Sequence, residues 1–195
     1  MSATTGRGRM PAERFDRLYR ASSDPWDYLG SEYERVKYSE TLAALGPGPF
    51  ARGLEVGCSI GAFTEQLAPR CDELVAIDFA PRAVAIARER LAELPNVELI
   101  CADFPEQVPA GPWDAIVCSE VLYYLDEPAL RQAIVWLGAQ LQHGASVLAV
   151  SWRGEGSEEP MRGDEAHELL TAELARWHAF DGRRVGYRLD RFDGR

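Results

Sequence analysis

The order of apolar and polar positions divides the chain into alternating strands and helices. Short runs rich in Val, Ile, Leu and Ala predict strands at Gly53 to Val56, Leu74 to Asp78, Val97 to Cys101, Asp114 to Ser119 and Ala145 to Ser151. Helical periods fall between them. PRAVAIARERLAEL places Pro81 in a first turn and Val84, Ala87, Leu91 and Leu94 on one face, and DEPALRQAIVWLGAQLQHG aligns Leu130, Ile134, Leu137 and Leu141 before a stop at Gly144. This alternation predicts an α/β fold in which a mostly parallel sheet is covered on both faces. Residues 11–45 read as a helical cap in two pieces, interrupted at Asp24-Pro25, and residues 1–10, almost without apolar side chains, as a flexible tail. After the linker GPGP, Gly46 to Pro49, residues 46–195 form one compact domain, whose last segment, Arg176 to Arg195, predicts an antiparallel hairpin about Asp181-Gly182.

Composition narrows the function. With 195 residues and 46% hydrophobic content the chain can bury one sizeable core. The longest apolar runs, such as AIVC and SVLAV, fall far short of the ~18 residues of a membrane span, and MSATTGRGRM lacks the apolar core of a secretory signal. A cytoplasmic protein with no membrane partner is expected. Cys58, Cys71, Cys101 and Cys118 are scattered without a CxxC pair, which points to reduced thiols, and no His, Cys and carboxylate trio has metal-ligand spacing. A formal charge of -10 argues against a broad basic face for nucleic acid, while leaving room for a cationic small substrate.

The stretch LEVGCSIGAF, Leu54 to Phe63, carries the most chemistry. Strand, tight turn and helix begin a nucleotide-binding βαβ unit, and its pattern is ExGxxxG, with Glu55, Gly57 and Gly61, where a dinucleotide site would prefer GxGxxG. With no pyrophosphate to cradle, this favours S-adenosylmethionine over NAD: Gly57 lets the backbone approach the amino-acid part of the ligand, and Gly61 lets the following helix sit close. Asp78, at the end of the second strand, is placed to accept from the ribose hydroxyls. Asp103, after the third, is placed to accept from the adenine amino group, with the Phe104 N–H near a ring nitrogen. Glycines that only pack a turn, and acids that only cap helices, are the competing readings.

Taken together, LEVGCSIGAFTEQLA, VAIDFAPRAVAIAR, CADF and WDAIVCSEVLYYL resemble a class I S-adenosylmethionine-dependent methyltransferase over Ala51 to Ser151. DPWDYLGSEYERVKYSETLAAL, with SEVLYYL and GDEAHELL, narrows the resemblance to the nodulation protein S (NodS)-like family. That resemblance implies a single Rossmann-like methyltransferase domain with an N-terminal helical cap and an antiparallel C-terminal hairpin. It also implies N-methylation of a small amine, such as an amino sugar or the deacetylated end of a chitooligosaccharide. Glu55, Gly57, Asp78 and Asp103 inherit cofactor contacts, and Trp26, Tyr33, Arg35 and Tyr38 inherit positions on the helices that close over the cofactor.

The same segment has its own physical case, because a sulfonium cation is attracted to aromatic faces such as Trp26, Tyr28, Tyr33 and Tyr38, and Arg35 could pair with the methionine carboxylate. An amine acceptor must lose a proton before it can attack. Candidates to take or steer that proton are Glu120, directly after the fourth strand, Tyr123 and Tyr124 beside it, and His167, if its helix folds over the mouth. Two other functions remain open at this point: an O-methyltransferase for a small natural product, and a cofactor-binding protein without turnover.

Overall fold

The computed structural model describes residues 8–154 and 159–194. The tail expected over residues 1–10 lies mostly outside them, as do residues 155–158 of the loop RGEGSEEPMRGDE. The order is α1 (Ala12–Ala21), α2 (Glu32–Leu45), β1 (Phe50–Val56), α3 (Thr64–Leu67), β2 (Cys71–Asp78), α4 (Pro81–Arg90), β3 (Val97–Cys101), β4 (Ala115–Ser119), α5 (Glu127–Gln142), β5 (Ser146–Trp152), α6 (Gly163–Glu173), β6 (His178–Arg183) and β7 (Tyr187–Asp193).

The strands form one seven-stranded sheet in the order β3-β2-β1-β4-β5-β7-β6. β1 to β5 are parallel, and β7 is antiparallel to both β5 and β6. The order reverses at β1, between β2 and β4, so the crevice beyond the carboxyl ends of these strands is where an open α/β sheet receives a ligand.

The central strands β4 and β5 bury both faces, which is why β4 reads as the unbroken apolar run AIVCS, while the edge strands β3 and β6 stay mostly half-buried or exposed. Leu54, Ile116, Val147 and Phe192 meet Leu130, Leu137 and Leu170 of α5 and α6 on one side, while Leu74, Val117 and Leu148 meet Phe15, Leu42 and Ala83 of α1, α2 and α4 on the other. Helix ends follow their local chemistry. Asp126 caps α5 by accepting from the Ala129 N–H at 3.1 Å, Pro81 opens α4, and Ser31 caps α2 by accepting from the Glu34 N–H.

The hairpin is present, but its turn is not at Asp181-Gly182. Both residues lie within β6, paired with Asp190 and Leu189, and the chain reverses at residues 184–186. Gly182 serves the strand by being small: a Cβ there would sit 2.7 Å from the Phe180 ring. Among the described residues no helix is long and apolar enough to cross a membrane, and no group of three or more His, Cys, Asp or Glu side chains could hold a metal ion.

Candidate functional site

The carboxyl ends of β1, β2 and β4, with the segment after β3, open onto one cleft. β1 ends in a turn whose backbone is left-handed at Gly57 (φ 87°), Ser59 (φ 50°) and Gly61 (φ 80°). A Cβ on Gly57 would stand 2.5 Å from the Ser119 carbonyl oxygen, so glycine is what lets the ends of β1 and β4 meet. Gly57 borders the cleft. Gly61 does not. A Cβ there would meet Leu91 at 2.8 Å, so Gly61 serves close packing, as its place in the motif suggests, but against the end of α4 and not the helix that follows it.

The acids divide by environment. Asp78 reaches into the cleft with one oxygen accepting from the Ser59 N–H and the other from the Ala80 N–H, each at 2.9 Å. Burial pushes its carboxyl up to about 6, against the pull of those N–H groups. Glu55 is buried behind Gly57 on a small recess shared with Tyr28, Tyr38 and Glu120. Of the described residues only the Thr64 hydroxyl approaches its carboxyl, without a well-formed hydrogen bond, and burial outweighs that contact and pushes the group up to about 8. A buried carboxyl so weakly partnered is costly unless a polar or cationic group arrives, so the recess suits the ammonium of an amino-acid ligand. Asp103 stands on the rim, where it, Glu106 and the Phe104 carbonyl hold the Arg9 guanidinium. Phe104 is buried, lines the cleft and meets the Trp136 ring edge-on. A ligand amino group at Asp103 must therefore share that carboxylate with Arg9, a residue the sequence did not single out.

The near wall is aromatic. Asp24 accepts from the N–H groups of Tyr28 (2.9 Å) and Leu29 (3.0 Å), tying the loop between α1 and α2 so that Trp26 and Tyr28 face the cleft. Trp26 meets Phe15, Tyr19 and Tyr28, and the Tyr19 hydroxyl lies 2.5 Å from Ser59 Oγ, fastening α1 to the β1 turn. Met10 is buried and its N–H donates to the Tyr124 carbonyl, so the end of the expected tail is part of this wall.

Arg35 is absent from it. Its side chain is 68% exposed and pairs with Glu32 on the outer face of α2, so the expected carboxylate contact is corrected. Two positions on, Lys37 turns inward instead. Arg35→Ala is accordingly expected to leave both S-adenosylhomocysteine affinity and the melting temperature unchanged, as read by titration calorimetry and a thermal scan; a loss of affinity would return Arg35 to the site.

Beyond Glu120 lies a side cavity of about 260 Å³, walled by Trp26, Tyr28, Tyr33, Tyr123, Tyr124 and Trp152 and bearing Glu34, Lys37, Glu120 and Glu159. Glu120 borders the cleft, the recess and the side cavity. It is held there in the left-handed region (φ 53°), which a non-glycine residue rarely adopts, by its own N–H donating to the Val150 carbonyl and by its Oε2 accepting from the Trp152 N–H at 2.7 Å. Tyr123 borders the side cavity, but burial pushes its phenol well above the usual range, which leaves it a hydrogen-bonding wall rather than a base.

His167 is elsewhere. It is fully buried on α6, with Nδ1 2.6 Å from Asp190 Oδ2, and lines neither the cleft nor the side cavity. The carboxylate can only accept, so Nδ1 carries the proton and the imidazole faces β7, not a substrate. The expectation that this helix folds His167 over the mouth is corrected: Ala166, His167 and Leu170 form the buried stripe of α6.

The family model for nodulation protein S (NodS) matches residues 11–157. Nodulation protein S of Sinorhizobium fredii strain NGR234 is 42% identical over 116 residues, covering 58% of this chain and 54% of the relative. That of Rhizobium tropici is 38% identical over 135 residues, covering 68% of this chain and 57% of the relative. The chain thus spans little more than half the length of these two relatives. The crystal structure of the N-methyltransferase NodS from Bradyrhizobium japonicum WM9, solved with S-adenosyl-L-homocysteine, superposes with a TM-score of 0.77 at 28% identity, covering 93% of this chain and 97% of that one. On the match over residues 11–157, the chain belongs to the nodulation protein S (NodS) family.

Proposed function

We propose that the chain is an S-adenosylmethionine-dependent N-methyltransferase for a small amine, with an amino sugar or the deacetylated end of an oligosaccharide as the acceptor. The observation that carries this reading is the convergence of Gly57, Asp78 and the Asp103 rim on one cleft whose wall, Glu120, is also the wall of a second cavity rich in aromatic rings and carboxylates. The solved relative's S-adenosyl-L-homocysteine supports the ligand assignment. So does the fit of the residues, since Asp78 offers the lone pairs that vicinal hydroxyls need and Glu55 offers a carboxyl without a well-formed hydrogen bond for an ammonium.

The bound cofactor supplies a methyl group carried on a positively charged sulfur. The chain's part is placement. Trp26 and Tyr28 line the cleft, where an aromatic face would attract that charge by about 0.5–2 kcal/mol depending on desolvation. Glu120, common to both chambers, is where an acceptor nitrogen approaching from the side cavity meets the reacting end of the cleft. Alignment of nucleophile and methyl carbon is worth several kcal/mol, up to roughly 7–11 in the best intramolecular cases. Glu34 and Glu120 against the Lys37 cation leave the junction with the cleft net acidic, which favours a protonated amine over a neutral hydroxyl as the arriving group.

The test is label transfer from methyl-labelled S-adenosylmethionine to a glucosamine oligomer with a free terminal amine, beside its fully N-acetylated counterpart. Label is expected on the free amine alone, and Glu120→Gln is expected to lower its rate by about 10²-fold or more, the usual weight of a general base. Label on the acetylated oligomer alone would replace this reading with hydroxyl transfer.

A further inference from the structure

Lys37 is the residue that neither the glycine motif nor the strand-end acids account for. It is 2% exposed, on the buried stripe of α2, and its Nζ lies 2.9 Å from the Glu34 carboxylate and 2.5 Å from Glu120 Oε1. The Tyr33 and Tyr38 rings stand 5.1 and 6.0 Å from the same nitrogen. A buried lysine is costly unless compensated, and here two carboxylates from different elements converge on it at the junction of the cleft and the side cavity.

We propose that Lys37 is a positioning residue: it pins the Glu120 carboxylate between the two chambers and balances the charge of Glu34, so that an incoming ammonium docks between these acids and leaves its proton on Glu120. The inference rests on the amine-transfer reading above. In the proton step one N–H bond of the ammonium breaks, its electron pair stays on nitrogen, and an O–H bond forms on Glu120. A cation and a carboxylate become two neutral groups, and the nitrogen lone pair is free to attack.

The surroundings decide the sign of the effect. Around the Lys37–Glu120 pair stand Glu34 and the Tyr33 and Tyr38 phenols from α2, Tyr28 from the preceding loop and Glu55 from β1. Tyr123 and Tyr124 follow β4, and Glu159 lies in the segment before α6. Apart from Lys37 every one of these groups is acidic or neutral, so nothing else described in this cavity offers Glu120 a positive partner. Without Lys37, Glu120 would face Glu34 as a like charge in a desolvated space and hold its proton to higher pH.

The experiment is the pH profile of kcat/KM for methyl transfer to glucosamine, run on wild type, Lys37→Met and Lys37→Arg, with S-adenosylhomocysteine affinity measured calorimetrically on each. Lys37→Met is expected to lower kcat at neutral pH by about tenfold or more and to move the acidic limb upward by about one pH unit or more, with cofactor affinity unchanged. Lys37→Arg is expected to restore much of the profile. If Lys37→Met melts below the assay temperature, the double substitution Lys37→Met with Glu34→Gln removes the opposing charge and carries the kcat comparison, with a smaller upward move of the acidic limb expected because Glu34 no longer repels Glu120. A wild-type profile in the methionine variant, or a parallel loss of cofactor binding, would overturn the role of Lys37 alone. Wild-type protein that binds S-adenosylhomocysteine yet labels no amine would overturn the amine-transfer reading, and this inference with it.

Discussion

Asp78→Ala is expected to weaken S-adenosylhomocysteine binding by about 10²-fold or more. The carboxylate sits half-buried at the carboxyl end of β2, facing the cleft, and its two oxygens accept from the Ser59 and Ala80 N–H groups. Their remaining lone pairs are what two neighbouring hydroxyls would use. Hydrogen bonds to a charged acceptor contribute about 1.5–3 kcal/mol each, and losing two of them sets the size of the effect. The pH dependence follows from the same burial. Binding needs the carboxylate, and with the group raised to about 6 affinity should hold above that pH and fall as pH drops through it. Calorimetric titration between pH 5 and 8, roughly spanning that value, would show it. Affinity in Asp78→Ala equal to wild type would remove the cofactor cleft from this position altogether.

Replacing Asp190 should damage the fold more than any surface change and leave the cleft lining intact. Its buried carboxylate on β7 is shared by His167 Nδ1 at 2.6 Å, His178 Nε2 at 2.7 Å and Arg188 Nε at 2.7 Å. Burial alone would raise this carboxyl, but His167, Arg188 and His178 together outweigh it and hold it below the usual range. Asp190→Ala would strand Arg188, itself 2% exposed, as an uncompensated buried charge, a change that costs about 3–5 kcal/mol. For a chain of 195 residues each kcal/mol lowers the melting temperature by about 2–4 °C, so a drop of roughly 6–20 °C is expected. Because the folded carboxyl is depressed, its stabilisation is fully present above the unfolded value near 3.9 and is lost as pH falls through the lower folded value, about where acid unfolding should begin. Differential scanning calorimetry across pH 3–7 would follow it, and an unchanged melting temperature in Asp190→Ala would refute the account. His167→Gln should act in the same way, through stability, without displacing the pH profile of turnover.

The strands and the cleft acids were legible because they rest on local rules. Apolar runs of strand length, a left-handed glycine turn and an acid at the end of β2 fix positions without knowledge of the rest of the chain. The misplacements of Arg35 and His167 share one cause, a face assigned wrongly on a correctly expected helix. Along α2 the buried residues are Glu34, Lys37, Tyr38, Thr41, Leu42 and Leu45, a regular stripe that excludes Arg35. The stripe is visible when extended backward from Leu45 and Leu42, but its two charged members hide it, since a charged pair on a helix ordinarily marks the solvent side. α6 repeats the lesson, with His167 on the same stripe as Ala166 and Leu170. Arg9 could not be read from local pattern, because its partners, Asp103 and Glu106, lie far along the chain.

Because the cleft and the side cavity share Glu120 as a common wall, they form adjoining rooms rather than separate sites. A single compound joining an adenosine-like portion to a protonated amine through a short tether would engage both at once. Its second half would bind at the high effective concentration set by the tether, which gives a route to selective bisubstrate inhibitors of this enzyme family.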